Sequence, residues 1–194
     1  SQVMGIIQDR KGYLWIATNG GGAARFDGKN FTVFTTENGL SDNRLNSVFL
    51  DKKGFVWFPS QNGISVYDGE KFSSYGEKEG LKASKTLSIC EDEDGNFWIG
   101  TEKEGLYKFD GKKFSLISLP DYEGKESELI IHSVICDSKG TIWIGTSAAL
   151  FAFEGGNFKM YNSLNSKICG NDIWSILEDH NKTIWAGTWN MSVS

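Results

Sequence analysis

The chain has 194 residues, with 23 glycines, only 2 prolines, and Trp, Tyr and Phe numbering 7, 6 and 13. Glycine turns between aromatic-rich runs point to an all-β architecture. The formal net charge of −5 is opposed by no basic cluster, which argues against a nucleic-acid partner.

No apolar run approaches the roughly 20 residues that a membrane helix needs, and no signal peptide is recognisable. The first element, Val3–Gln8, leads into the turn Asp9-Arg-Lys-Gly12. Strand-like pieces then follow at Tyr13–Thr18, Ala23–Phe26 and Phe31–Thr35. The turn is readable from its chemistry. Asp bonds backbone two residues on, and Gly supplies a positive φ without a Cβ clash.

The motif Asp-x-x-Gly followed by an apolar run around Trp then returns along the chain. Its tryptophans are Trp15, Trp57, Trp98, Trp143 and Trp185, spaced by 42, 41, 45 and 42 residues. A fixed period near 40 residues marks a tandem array of one supersecondary unit. The runs about these tryptophans are apolar at successive positions, so both strand faces should be covered. Two places after each Trp stands Ala17, Pro59, Gly100, Gly145 or Gly187. Small residues there predict close approach of a neighbouring sheet.

A second turn recurs between the last two strands of a unit. It reads Phe26-Asp-Gly-Lys-Asn-Phe31, Tyr67-Asp-Gly-Glu-Lys-Phe72, Phe109-Asp-Gly-Lys-Lys-Phe114 and Phe153-Glu-Gly-Gly-Asn-Phe158. Asp-Gly between aromatic strand residues is a strong hairpin signal. Each unit is thus a four-stranded antiparallel meander, and such meanders at this period are the blades of a β-propeller. Complete blades are predicted near 3–35, 45–76, 86–119 and 130–162, with a partial fifth over 172–194. We expect an open arc cut from a larger propeller, prone to self-association through its sheet edges or to dimerisation. A five-bladed ring with one incomplete blade is the alternative.

The connections between units vary. The longest, Pro120–Leu129, carries Asp121, Glu123, Lys125, Glu126 and Glu128 and reads as a solvated loop. Cys90, Cys136 and Cys169 lack metal-ligand spacing, and Cys90 fills a slot held by Ile7, Phe49, Ile135 and Leu177 elsewhere. It reads as a small buried hydrophobe.

The acidic run Glu91-Asp-Glu-Asp-Gly-Asn96 resembles the start of a calcium loop, but the twelfth position from Asp92 is Lys103 rather than Glu. It is the third copy of the Asp turn. No metal or other cofactor is expected. The chain has two histidines, His132 and His180, and the latter sits in a turn as an exposed residue. An arginine cluster for a carboxylate ligand would have to draw on Arg10, Arg25 and Arg44.

Linked motifs carry a family resemblance. Gly39-Leu-Ser-Asp-Asn-Arg-Leu-Asn-Ser-Val48, Asp51-x-x-Gly54-x-x-Trp57 and Gly63-Ile-Ser-Val-Tyr-Asp-Gly69 follow in order. In these motifs the chain resembles the two-component regulator propeller family. The resemblance implies a non-catalytic sensor region in the periplasm, belonging to a bacterial sensor kinase or hybrid two-component system. Such regions often respond to glycans, so a carbohydrate or other small ligand is the implied partner. Membrane attachment and kinase activity would come from parts of a parent protein outside this chain. A glycan-active enzyme with a carboxylate pair and a structural protein–protein scaffold are the competing readings.

Two departures from the pattern stand out. The fifth repeat has Lys182 in place of the turn glycine, which should leave Asn181 to take the positive φ. The fourth has Ser147-Ala-Ala149 where other repeats carry glycine, so that loop should be reshaped.

One slot points to binding. Ten places before each Trp stands a small residue (Gly5, Ser47, Ser88, Ser133, Ser175), and nine before stands Ile or Val. Eleven before, the chain varies sharply through Met4, Asn46, Leu87, His132 and Trp174. The slot lies where an inter-blade loop enters the innermost strand, at one mouth of a central channel. Trp174 can stack on a sugar there, with His132, Asn46 and nearby Arg44 as hydrogen-bonding groups.

Overall fold

The computed structural model describes residues 2–82, 85–121 and 128–189. The middle of the charged connection, residues 122–127, and the last residues of the fifth repeat, 190–194, lie outside the described residues. Compact packing divides the chain into two units, Ser1–Leu87 and Ser88–Ser194.

In the first unit, β1 (Gln2–Gln8), β2 (Leu14–Asn19), β3 (Gly22–Phe26) and β4 (Phe31–Phe34) form one antiparallel meander. A second follows from β5 (Phe49–Leu50), β6 (Val56–Pro59), β7 (Ile64–Tyr67) and β8 (Phe72–Tyr75). In the second unit the strands β9 (Thr86–Glu91), β10 (Phe97–Thr101), β11 (Leu106–Phe109) and β12 (Phe114–Ile117) form the third sheet, although β9 begins in the first unit. The fourth comprises β13 (Ile131–Cys136), β14 (Ile142–Thr146), β15 (Leu150–Glu154) and β16 (Asn157–Tyr161). β17 (Ile173–Glu178) and β18 (Ile184–Thr188) pair as a two-stranded sheet. The fold is all-β, with blades of a β-propeller in sequence order, as the two recurring turns imply.

Each Asp turn is built the same way. Asp51 Oδ1 accepts the backbone N–H of Lys53 (2.9 Å) and of Phe55 (2.8 Å). Its Oδ2 accepts the indole N–H of Trp57 at 2.8 Å. The same carboxylate–indole bond recurs at Asp9–Trp15, Asp92–Trp98, Asp137–Trp143 and Asp179–Trp185, at 2.8 to 3.0 Å. One side chain therefore closes the turn and orients the indole that follows it, buried at Trp15, Trp57 and Trp98 and exposed at Trp185. Asp92, within the acidic run, spends its carboxylate on Asn96 and Trp98 in this role.

The Thr or Ser that ends the motif has a matching task. Thr101 Oγ1 donates to Gly105 O and accepts from Glu104 N, closing the loop between β10 and β11. The glycine-free loop of the fourth repeat closes through Thr146, which donates to Ala149 O and accepts from Ala148 N and Ala149 N. Its span of three residues equals that of Ser60 to Gly63, so the loop follows the second repeat.

In the fifth repeat Lys182, not Asn181, takes the positive φ, at 68°. The reason is the turn's bonding: Asp179 Oδ1 grips Asn181 N and Thr183 N, so the residue between them must turn over. The glycine slot keeps its geometry whatever occupies it.

In the second unit the third, fourth and fifth sheets stack through the glycines two places after Trp98 and Trp143. A Cβ on Gly100 would lie 2.8 Å from Ile131 O and 2.7 Å from its Cγ2, in the next sheet. Gly145 meets Ile173 in the same way, at 2.9 Å from its carbonyl oxygen. Around these contacts Trp98, Leu106, Ile131, Ile144 and Phe151 form one core, with Trp98 5.1 Å from the Phe153 ring. In the first unit Trp15 packs on Phe58 and Tyr67 of the following sheet. Burial of such aromatic area contributes on the order of 2–3 kcal/mol per side chain.

Cys90 is buried in this core, but it is more than a small hydrophobe. It forms a disulfide with Cys136, 46 residues on, with Cα atoms 5.8 Å apart. The bridge joins β9 to β13. Cys136 stands one position past Ile135, the counterpart of Cys90, and stacking of the two inner strands brings the two sulfurs together, which their separation in sequence hides. Cys169 is exposed and outside the bridge.

Candidate aromatic binding site

The variable slot has a structural cause. In β1, β13 and β17 the pairing with the second strand shifts by one residue across Val3/Gly5, Ile131/Ser133 and Ile173/Ser175. Met4, His132 and Trp174 are the extra residues. A bulged residue leaves the ladder and re-aims its side chain, so packing does not dictate its type.

In the second unit two of these bulges meet. The His132 imidazole stacks on the Trp174 indole, with centroids 4.3 Å apart and planes at 18°. Trp189 lies against the other part of the cluster, 4.9 Å from Trp174 and tilted by 31°. Trp174 and Trp189 are 48% and 57% exposed, while the His132 side chain is only 9% exposed. The result is a half-open aromatic platform with a histidine floor.

Asp172 borders it. His132 Nε2 lies 3.2 Å from Asp172 Oδ1, an oxygen cut off from solvent that makes no hydrogen bond among the described residues. Burial holds the His132 imidazole below its ordinary pKa, and the nearby Asp172 charge offsets this in part. Burial thus favours the uncharged ring. With Oδ1 enclosed and the side chain still 36% exposed, Asp172 presents its other oxygen, Oδ2, as an acceptor beside two exposed indoles.

Trp189 and Asp172 escaped the sequence reading, yet both left a signal. Asp172 fills the slot, two before the bulge, that Arg44 fills in the second repeat. Trp189 follows Thr188 where Asn19, Gln61, Glu102 and Ser147 stand elsewhere. Its N–H donates to Asp172 O, a bond matched by Gln61 N to Arg44 O and Ser147 N to Ile130 O. One indole among polar counterparts was the available clue.

Arg44 and Asn46 belong to the first unit and are engaged there. Arg44 Nη2 pairs with Asp42 Oδ2 at 3.0 Å, with Nε on Oδ1 at 3.2 Å, and its side chain stays exposed. Asn46 Nδ2 donates to Thr86 O (2.7 Å), and its Oδ1 accepts from Gln61 Nε2 (3.0 Å). Both ends of the Asn46 amide therefore serve to tie chain segments together. His180 is exposed in its turn. Among the described residues, no group of three His, Cys, Asp or Glu side chains is placed to hold a metal ion.

Comparison with known proteins agrees with this repeat architecture. The two component regulator propeller family matches residues 1–20, 80–103, 125–148 and 167–190, each segment carrying an Asp turn and its Trp. Histidine kinase P4 of Formosa agariphila is 27% identical over 155 residues, 73% of this chain and 11% of that protein. The chain thus spans about a ninth of this curated relative. The extracellular domain of BT4673 from B. thetaiotaomicron, described as a hybrid two component system, superposes with a TM-score of 0.81. That match has 22% identity and covers 100% of this chain and 27% of the other. Virginiamycin B lyase from Staphylococcus aureus shares the fold at a TM-score of 0.77 and 16% identity, covering 99% of this chain and 68% of the lyase. Among the described residues no helix is long and apolar enough to cross a membrane. Four segments of the chain thus match the two component regulator propeller model, one in each of the first, third, fourth and fifth repeats.

Proposed function

We propose that this propeller is the extracytoplasmic, non-catalytic sensor region of a two-component signalling protein and that it recognises a glycan. The observation carrying this reading is the half-exposed Trp174–Trp189 platform over His132 with the Asp172 carboxylate at its edge. Sugars present C–H faces that stack on indoles and hydroxyls that donate to a carboxylate, and the cluster offers both. The Cys90–Cys136 bridge fits an oxidising compartment. The kinship with a histidine kinase supports a signalling role for the parent protein. Arg44 and Asn46, from the variable slot of the second repeat, would contribute only by exchanging their internal partners for ligand.

The test is titration of the protein with a panel of oligosaccharides, followed by tryptophan fluorescence and by chromatography of the sugars. Saturable binding without products, weakened at least about tenfold in Trp174→Ala, is the expected result. New reducing ends would make the protein an enzyme. Affinity unchanged in both Trp174→Ala and Trp189→Ala, with the fold intact, would remove the platform from the site.

A further inference from the structure

Arg25 in β3 stands opposite Trp15 in the ladder. Its guanidinium carbon lies 4.8 Å from the Tyr13 ring centre and 5.6 Å from those of Trp15 and Phe34. Half-buried against three aromatic rings, it has its charge stabilised by their π-faces. Its hydrogen-bond donors are another matter. A guanidinium carries five N–H groups in a planar fork, and among the described residues the Arg25 side chain makes no hydrogen bond and no ion pair. A half-buried arginine in that condition lacks an acceptor.

The side chain lines a cleft of about 230 Å³ between the Asp turns of the first two sheets. Lys11, Lys53, Tyr13 and Tyr67 are also on its wall, and Arg10 completes four basic groups facing two carboxylates, Asp9 and Asp68. Among the described residues neither carboxylate forms an ion pair with Arg25. Asp9 gives Oδ1 to Lys11 N and Tyr13 N and Oδ2 to the Trp15 indole. Asp68 gives Oδ1 to Glu70 N and Lys71 N.

The other repeats show that the fold does not require this cation. The position opposite Trp57 is Val66, and opposite Trp143 it is Ala152. Opposite Trp98 stands Lys108, but its ammonium pairs with Asp92 at 3.7 Å, and its cleft also contains Glu93 and Asp94. That lysine has its counter-charge in the protein. Arg25 does not.

We propose that the Arg25 cleft binds the acidic group, carboxylate or sulfate, of a small ring-bearing ligand. The guanidinium fork grips two oxygens of the anion, Lys53 and Lys11 add charge, and Tyr13 and Tyr67 flank the ring. This site is separate from the Trp174 platform and does not depend on the glycan reading of it.

Glucuronate, glucose 6-sulfate and uncharged glucose are titrated by calorimetry into the protein and into Arg25→Gln, Lys53→Gln and Trp174→Ala. Saturable binding of either acid, with glucose at least about tenfold weaker, supports the site, and the preferred acid identifies the group. Arg25→Gln should weaken it at least about tenfold, and Trp174→Ala should leave it unchanged. Lys53 is exposed, so Lys53→Gln keeps the test readable if Arg25→Gln loses its near-UV circular dichroism; a loss of about two- to fivefold is expected. Absence of binding by both acids at 10-millimolar order, binding of glucose as tight as either acid, or affinity unchanged in a folded Arg25→Gln or in Lys53→Gln would overturn the proposal.

Discussion

Asp51 and Trp57 are joined by a 2.8 Å hydrogen bond from the indole N–H to the carboxylate, and both side chains are almost wholly buried, at 3% and 4% exposure. The same bond between Asp179 and Trp185 is exposed. A buried carboxylate that loses a donor pays desolvation with nothing in return, whereas an exposed one turns to water. Trp57→Phe should therefore destabilise by about 2 kcal/mol beyond its lost packing, and Asp51→Ala by about 3 kcal/mol through loss of three charge-assisted acceptor contacts. Trp185→Phe and Asp179→Ala should cost visibly less. Urea unfolding of the four variants checks this, and equal losses at both sites would refute the argument.

The Asp–Trp bond also shows where sequence reading stops. The constant offset of six residues between the two was legible, as were both turns and the repeat they punctuate. Positive φ at Gly12, Gly54, Gly95 and Gly140 follows the turn chemistry directly. What the offset meant was not legible, because the indole reaches back to its own turn only once β2 or its counterpart is extended. The pairing of Cys90 with Cys136 needed the stacking of two sheets, which local patterns do not encode. Similarly, the eleventh position before Trp stood out as variable, but its cause is a one-residue bulge that only strand pairing reveals. Trp189 and Asp172 joined the candidate site by the same tertiary route, while Asn46 left the pool of free donors because Gln61 and Thr86 occupy it.

Lys182 occupies a left-handed backbone conformation at φ 68° that the Asp179 turn imposes. A side chain with a Cβ costs about 1 kcal/mol there relative to glycine. Lys182→Gly should raise stability by about that amount despite the added freedom of the unfolded chain. Asn181→Gly, at a position without positive φ, should be neutral or destabilising. Thermal unfolding of the pair distinguishes them. A gain from the Asn181 change and none from the Lys182 change would reverse the assignment.

The Cys90–Cys136 bridge closes a long loop, with 46 residues separating its ends. Restricting the unfolded chain by such a loop contributes up to about 4 kcal/mol on the chain-entropy account. Dithiothreitol should lower the midpoint of thermal unfolding accordingly, and Cys90→Ala with Cys136→Ala should abolish the difference between reducing and oxidising buffer. Non-reducing peptide mapping should recover a linked pair containing residues 90 and 136. Recovery of Cys169 in a bridge with either partner would contradict this pairing.

His132 couples the aromatic site to pH. Burial lowers its pKa in the folded protein, with Asp172 only partly compensating, so folding favours the neutral ring. The sign follows. The unfolded chain binds this proton more readily, so the contribution to stability is complete above the unfolded value of about 6.5 and is lost as pH falls below it. Asp92 and Asp179 have lowered pKa values: burial opposes the shift at Asp92, but bonds from Trp98 and Asn96 outweigh it, while the Trp185 indole leads at Asp179. Both titrate in a separate window below about 4. The midpoint of thermal unfolding should therefore be level between about pH 7 and 8 and decline between about pH 6.5 and 5, and His132→Gln should flatten that decline. Following the His132 ring protons by NMR gives the independent check: a midpoint below the ordinary imidazole value of about 6.5 is expected. A midpoint above it, with stability rising on acidification, would mean that the Asp172 carboxylate dominates and that the ring under Trp174 is charged.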